Sequence, residues 1–281
     1  MNPGRFAIFL LALLALGSAR ALAPRQAPTQ SVTYLGFDAN TYPGDALLPA
    51  LRQSFAFTGY WLNNPPGASG NSWVGRRAAV RDAGFGFLVL FNGRLAKELK
   101  HVAGATAIGA ADGRAAVAAA RKEGFPARTL IFLDQEEGGR MTPPQIAYIL
   151  AWTDAIAASD FRAGIYCSGM PAKEGKVQTV VTAENIRESA ASRDITYFVY
   201  NDACPPSPGC AYPKHPPQPS LSGVAFAAVW QFAQSPRRAQ FTRSCAATYS
   251  HDGNCYPLLS LPSPVLLDLD SALSADPSSG R

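Results

Sequence analysis

Histidine is scarce: the 281 residues contain only His101, His215 and His251. There is no H-E-x-x-H, so the common histidine-built zinc hydrolase is excluded. There is no G-x-S-x-G, so the strand-to-helix elbow that presents a serine nucleophile is missing. The glycine-rich stretch Gly104 to Gly113 lacks the spacing and the lysine of a phosphate-binding loop. Basic residues are scattered, with no stripe interleaved with aromatics, so nucleic acid is a poor partner for this chain. Beyond the N-terminus no stretch is long and apolar enough to span a bilayer. No cofactor and no metal is implied.

The N-terminus reads as a secretory signal. Arg5 gives the positive start, Phe6 to Leu16 is an uncharged apolar run, and Ala19-Arg20-Ala21 fits small-x-small cleavage. Cleavage is expected after Ala21; a cut after Ala23 fits the same pattern but places Pro24 next to it. The alternative, an uncleaved anchor, meets a run too short for about 30 Å of hydrocarbon. Residues 1–21 are therefore expected to be a signal peptide, and the chain to be secreted or held in the periplasm or cell envelope. Losing Arg5 and Arg20 lowers the net charge from +5 to +3. In an oxidising compartment Cys204 and Cys210, and Cys245 and Cys255, bracket short segments and predict two local disulfides. Cys167 is left over inside an apolar run, as a small buried thiol or a nucleophile.

The rest of the chain alternates strand and helix. Strands are predicted over Val32–Asp38, Phe55–Leu62, Phe85–Phe91, Thr129–Asp134, Arg162–Cys167, Ile195–Tyr200, Val224–Phe232 and Val265–Asp268. Helices are predicted over Gly44–Gln53, Trp73–Ala83, Asp112–Glu123, Pro143–Ala158 and Ala183–Ser192. Strands apolar on both faces suit a parallel sheet covered by helices. Eight of them favour an α/β fold of the (β/α)8 TIM-barrel type over a doubly wound open sheet, irregular in its C-terminal third. The barrel domain is expected over residues 32–273, with a flexible polar tail over 274–281.

Carboxylates stand at strand ends. The first strand closes on Asp38, the fourth on Asp134 with Glu136 two residues on, and the last on Asp268 and Asp270. Side chains alternate along a strand, so Asp134 and Glu136 share a face, as do Asp268 and Asp270. Strand C-terminal ends are where a barrel builds its site. Cleaving a glycosidic bond needs one carboxyl that keeps its proton and another that stays ionised, and crowding acids separates their proton affinities. Glu136, with the longer reach, is the expected acid. The plain alternative is that these acids cap helices or pair with Arg140. Glu137 points to the other face and is expected to be structural. Tyr60, Trp61 and Trp230, at strand ends, either pack the barrel mouth or stack on sugar rings.

The segments GFDANTYPG, AADGRAAVAAARKEGFP, TLIFLDQEEG, RAGIYCSG and AVWQF occur in an order that resembles the glycoside-hydrolase-like barrel of exported actinobacterial proteins of unknown function, a family similar in turn to the family 25 lysozymes. The resemblance runs from about Tyr34 to Leu273. It implies catalytic roles for Asp38, Asp134, Glu136 and Asp268, with Glu136 the acid, and a cleft lined by Tyr166 and Gln231. Asp268 matches the late acid of the lysozymes, and Asp270 stands where they carry Asn and is expected to bind substrate. The chain departs from the lysozymes after Asp38 and by a long cysteine-containing insertion before Asp268. The implied function is hydrolysis of peptidoglycan or a related amino-sugar polymer by a monomer. The alternatives are a barrel that binds glycans without turnover and a purely structural envelope protein.

Overall fold

The computed structural model describes residues 32–176, 178–201, 215–233 and 267–281, together with Met1. Contacts divide the chain into residues 1–31 and 32–281, and the second unit is the one described below. The expected signal peptide and Cys204, Cys210, Cys245 and Cys255 lie outside the described residues. Among those residues no helix is long and apolar enough to cross a membrane.

Eight strands close a barrel: β1 (Tyr34–Asp38), β2 (Phe57–Trp61), β3 (Gly86–Asn92), β4 (Leu130–Asp134), β5 (Arg162–Ser168), β8 (Thr196–Tyr200), β9 (Ala227–Ala233) and β10 (Asp268–Ala272). Strands β6 (Pro171–Glu174) and β7 (Gln178–Val181) form a separate hairpin. Among the described residues five α-helices, α1 (Leu48–Arg52), α2 (Arg77–Asp82), α3 (Val102–Lys122), α4 (Pro143–Ala157) and α5 (Thr182–Ala190), connect them. All residues of β2 and β4 are buried, as in a sheet packed on both faces. The barrel expectation holds, with one correction. Seven strands are parallel, but β10 runs antiparallel to both neighbours, β9 and β1, and continues past the predicted end at Asp268 to Ala272; Val265 and Leu266 lie outside the described residues. Its first residues therefore lie at the rim where the parallel strands end.

The barrel interior is filled by rings seated over glycines. A Cβ on Gly36 would lie 2.1 Å from the Phe57 ring, and one on Gly164 would lie 2.4 Å from the Phe132 ring. Only glycine leaves room for the neighbouring strand's phenyl group. Phe132 meets Phe198 edge to face, with centroids 5.9 Å apart. These rings make an apolar floor beneath the C-terminal rim.

Helix α3 begins ten residues before the predicted Asp112. Its glycines weaken helix propensity, which is why the sequence reads there as a glycine-rich stretch. They are needed for packing: a Cβ on Gly109 would lie 2.2 Å from the Tyr148 carbonyl oxygen of α4, and one on Gly113 2.9 Å from that of Trp152. Tertiary contact outweighs local preference. Helix α4 opens where predicted, on a reciprocal cap between Thr142 and Gln145 followed by Pro143 and Pro144.

The expected flexible tail is overturned. Ser278 is fully buried between the starts of β3 and β4: its N–H donates to the Phe87 carbonyl, its carbonyl accepts from Leu130 N, and its hydroxyl accepts from Val89 N. Asp276 accepts from Phe87 N, and Arg281 donates to the carbonyls of Gly84 and Phe85. The two strands pair only from Val89 and Ile131 onward, so their lower ends need these partners. The polar composition that suggested a loose end serves backbone hydrogen bonding.

Candidate active site

The backbone brings the predicted acids together from three strands. Asp38 is the last residue of β1 and faces Asp268 directly across the β1–β10 ladder. Asp270, two residues on, faces Gly36 on one side and Gln231 on the other. Asp134 closes β4 beside Tyr166 of β5. Strand β4 stops at Asp134, but Gln135 N still donates to the Tyr166 carbonyl, 2.9 Å away, which holds the chain on course toward Glu136. Glu136 is exposed, whereas Asp38, Asp134 and Asp270 are 5%, 3% and 0% exposed.

A hydrogen-bond chain orders the centre. The Tyr166 hydroxyl donates to Gln231 Oε1 at 2.7 Å, and Gln231 Nε2 donates to Asp38 Oδ2 at 2.7 Å. The first bond fixes which end of the amide faces the acid, so Asp38 always meets an N–H. Space for Asp38 is made by Gly59 of β2, where a Cβ would lie 2.6 Å from Asp38 Cβ.

Burial is the main electrostatic influence. Desolvation raises the Asp38 carboxyl to about 7; the Gln231 amide pulls it down, the Glu136 charge raises it, and a hydrogen bond with Asp270 lowers it. Asp134 lies well above the usual carboxylate range, first from burial and then from the charge of Glu136 and a hydrogen bond shared with it. Neither Asp134 oxygen meets an N–H or hydroxyl donor. Two ionised carboxylates only accept, so Asp134 and Glu136 are bonded only when one of them holds a proton. Burial, and then the charges of Glu136, Asp134, Asp38 and Asp268, raise Tyr166 as well, which keeps its hydroxyl a donor.

The segment after the acids is anchored. Glu137 Oε2 accepts from Ala96 N at 2.6 Å and Gln145 Nε2 at 2.8 Å, the structural role expected of it. The buried Thr182 hydroxyl accepts from Gly139 N and donates to the Gly139 carbonyl. Asn185 Oδ1 accepts from Met141 N, and Arg140 pairs with Glu174 of the β6–β7 hairpin, not with the strand-end acids.

None of the three candidate stacking aromatics presents an open face to the acids, and Trp61 packs the barrel mouth, the other reading left open for it. Tyr60 points out of the barrel, packs on Trp73, Phe87 and Phe125, and donates to Glu123. Trp230 alternates with Gln231, so it faces away from the acids, and its N–H is held by the Asn201 carbonyl. Trp61 is only 4% exposed and donates to the Ala39 carbonyl, so it packs the rim and offers no open stacking face. The sequence reading missed Gly59, though a glycine inside a strand marks close approach. It also missed the β6–β7 hairpin and Thr182, which carry no local signal of their own.

Residues 64–200 match the family described as Rv2525c-like, glycoside hydrolase-like domain. Among solved structures the chain is similar to an uncharacterized protein of B. stearothermophilus, at 21% identity over 85% of this chain and 95% of that one, with a TM-score of 0.52. It is similar to the Mycobacterium tuberculosis Tat-secreted protein Rv2525c, at 12% identity over 87% and 96%, with a TM-score of 0.51. It is also similar to the Clostridium perfringens spore cortex lytic enzyme SleM, at 14% identity over 86% and 68%, with a TM-score of 0.52. At these identities the likeness concerns the fold. No curated protein matches the chain.

Proposed function

Residues 64–200 match the Rv2525c-like, glycoside hydrolase-like domain, and from that match we propose that the chain is an exported glycoside hydrolase acting on peptidoglycan or a related amino-sugar polymer. The observation that carries this reading is the convergence of Asp38, Asp134, Glu136 and Asp268 on one rim, with an apolar floor beneath. The likeness to a spore cortex lytic enzyme supports the substrate class.

In the proposed mechanism the Asp134–Glu136 pair holds one proton between two carboxyls. Asp134 is too buried to reach a substrate oxygen; Glu136 is exposed and is the member that protonates the leaving group. The one shared proton passes through Glu136 to the glycosidic oxygen as its bond to the anomeric carbon breaks, and the water that adds to that carbon returns a proton to the pair. Asp38, oriented by Gln231, acts as the ionised carboxylate that faces positive charge developing on the sugar, and Asp268 stands opposite it. The burial of Asp134 also favours a second reading, a barrel that binds glycan without cleaving it.

Incubating the purified chain with peptidoglycan and a panel of amino-sugar polymers separates the two. Release of reducing ends, lost in Glu136→Gln, supports hydrolysis. Saturable binding without product supports the second reading, and neither binding nor product on any polymer refutes both.

A further inference from the structure

Asp270 lies in mid-strand, fully buried, and neither of its carboxylate oxygens meets a donor group. On β1 it faces Gly36, which has no side chain to offer. On β9 it faces Gln231, whose carbonyl accepts from Tyr166 and whose amide donates to Asp38. The ionisable groups acting on it are Asp38 across the ladder and Asp268 on its own strand, both acids. With no exposed surface, no bound ligand can reach it to supply the missing donor. An ionised carboxylate placed there would be desolvated among other acids, and such a group neutralises instead. A neutral carboxyl carries an O–H, and Asp38 is its hydrogen-bond neighbour.

We infer that Asp270 holds a proton in the folded protein and donates it in a hydrogen bond to Asp38, as a positioning residue for that carboxylate. Asp38 is then held by two donors, the Gln231 amide on Oδ2 and the Asp270 hydroxyl. The pair keeps Asp38 in place and favours its charged form, although it lies above an apolar floor. The role toward Asp38 rests on the hydrolase reading; the location of the proton does not.

The test is carboxyl-carbon NMR on protein labelled at aspartate, titrated through the neutral range, for the wild type, Asp270→Asn and Asp270→Leu. The wild type should show a protonated aspartate carboxyl at neutral pH that is missing from Asp270→Asn. The asparagine amide still donates to Asp38 and leucine cannot, so Asp38 should bind its proton about tenfold or more tightly in Asp270→Leu than in Asp270→Asn. If Asp270→Leu fails to fold, the wild type against Asp270→Asn decides alone, with stability as a second readout. A proton bound more tightly in the folded than in the unfolded chain makes stability fall as pH rises, and Asp270→Asn should flatten that fall. An ionised Asp270 at neutral pH, kept in place by an internal water, overturns the inference, as does an unchanged pH dependence of stability in Asp270→Asn. A wild type that cleaves no glycan refutes the proposed function and leaves the proton assignment to these readouts.

Discussion

Gly59→Ala tests whether backbone packing sets the acid's position. The added Cβ would lie 2.6 Å from Asp38 Cβ, 3.1 Å from Asp38 Cα and 3.3 Å from Leu90 Cδ1. The first contact is closer than real side chains tolerate, and what it strikes is the root of a strand residue, which cannot swing aside. Overpacking of this kind costs about 1–3 kcal/mol. Replacing glycine in a strand returns about 0.5–1 kcal/mol. The net expectation is a loss of about 1–2 kcal/mol, or roughly 2–8 °C in Tm for a domain of this size. Relief requires β1 and β2 to part near Asp38, which shifts its carboxylate out of line with the 2.7 Å bond from Gln231. Losing that donor removes an influence that lowers the Asp38 carboxyl, so its titration should move up from about 7. Calorimetry and carboxyl NMR read both effects. A variant with unchanged Tm and an unmoved Asp38 titration refutes the packing argument. Gly70→Ala, where a Cβ meets nothing within 4 Å, is the control and should be neutral.

Other perturbations have signs that follow from the same structure. Asp38 and Asp134 both bind protons more tightly folded than unfolded, so their contribution to stability is full in acid and is lost as pH rises, for Asp38 through about 7; a Tm that climbs across that range contradicts this. In the proposed hydrolase kcat/KM should rise as Asp38 ionises near 7 and fall at higher pH as the Asp134–Glu136 pair loses its proton; a flat profile contradicts the assignment. Removing residues 274–281 leaves Val89 N and Leu130 N without partners and should cost about 2–6 kcal/mol, at about 1–3 for each buried donor, read by denaturant unfolding. Gly104→Ala, on an open face of α3, should stabilise by about 0.5–1 kcal/mol, whereas Gly109→Ala should destabilise, because its Cβ would strike the Tyr148 carbonyl of α4. Cys167, buried and with its thiol pushed up by desolvation, should resist thiol reagents until the chain unfolds; rapid labelling of the native protein would show it accessible.

Much of the barrel was legible because doubly buried strands leave unbroken apolar runs, and Phe85–Phe91 and Thr129–Asp134 fall within two residues of β3 and β4. The acids were legible because strand ends carry them. What was not legible depends on tertiary contact. The direction of β10 is set by its neighbours, so Asp268 and Asp270 open a strand that the sequence reads as closing there. The start of α3 hides behind glycines chosen for helix–helix contact, and the tail hides behind polar residues whose partners are backbone groups of β3 and β4. Tyr60, Trp61 and Trp230 mislead because an aromatic ring at a strand end packs inward or outward with the same composition.

The claim at the centre is that the gathered carboxylates add water across a glycosidic bond. Digesting purified peptidoglycan in ¹⁸O-labelled water and analysing the fragments by mass spectrometry tests it directly. One ¹⁸O is expected at the new reducing-end sugar with the wild type and none with Glu136→Gln. Label found only in peptide fragments, or sugar labelling that Glu136→Gln leaves intact, would contradict it.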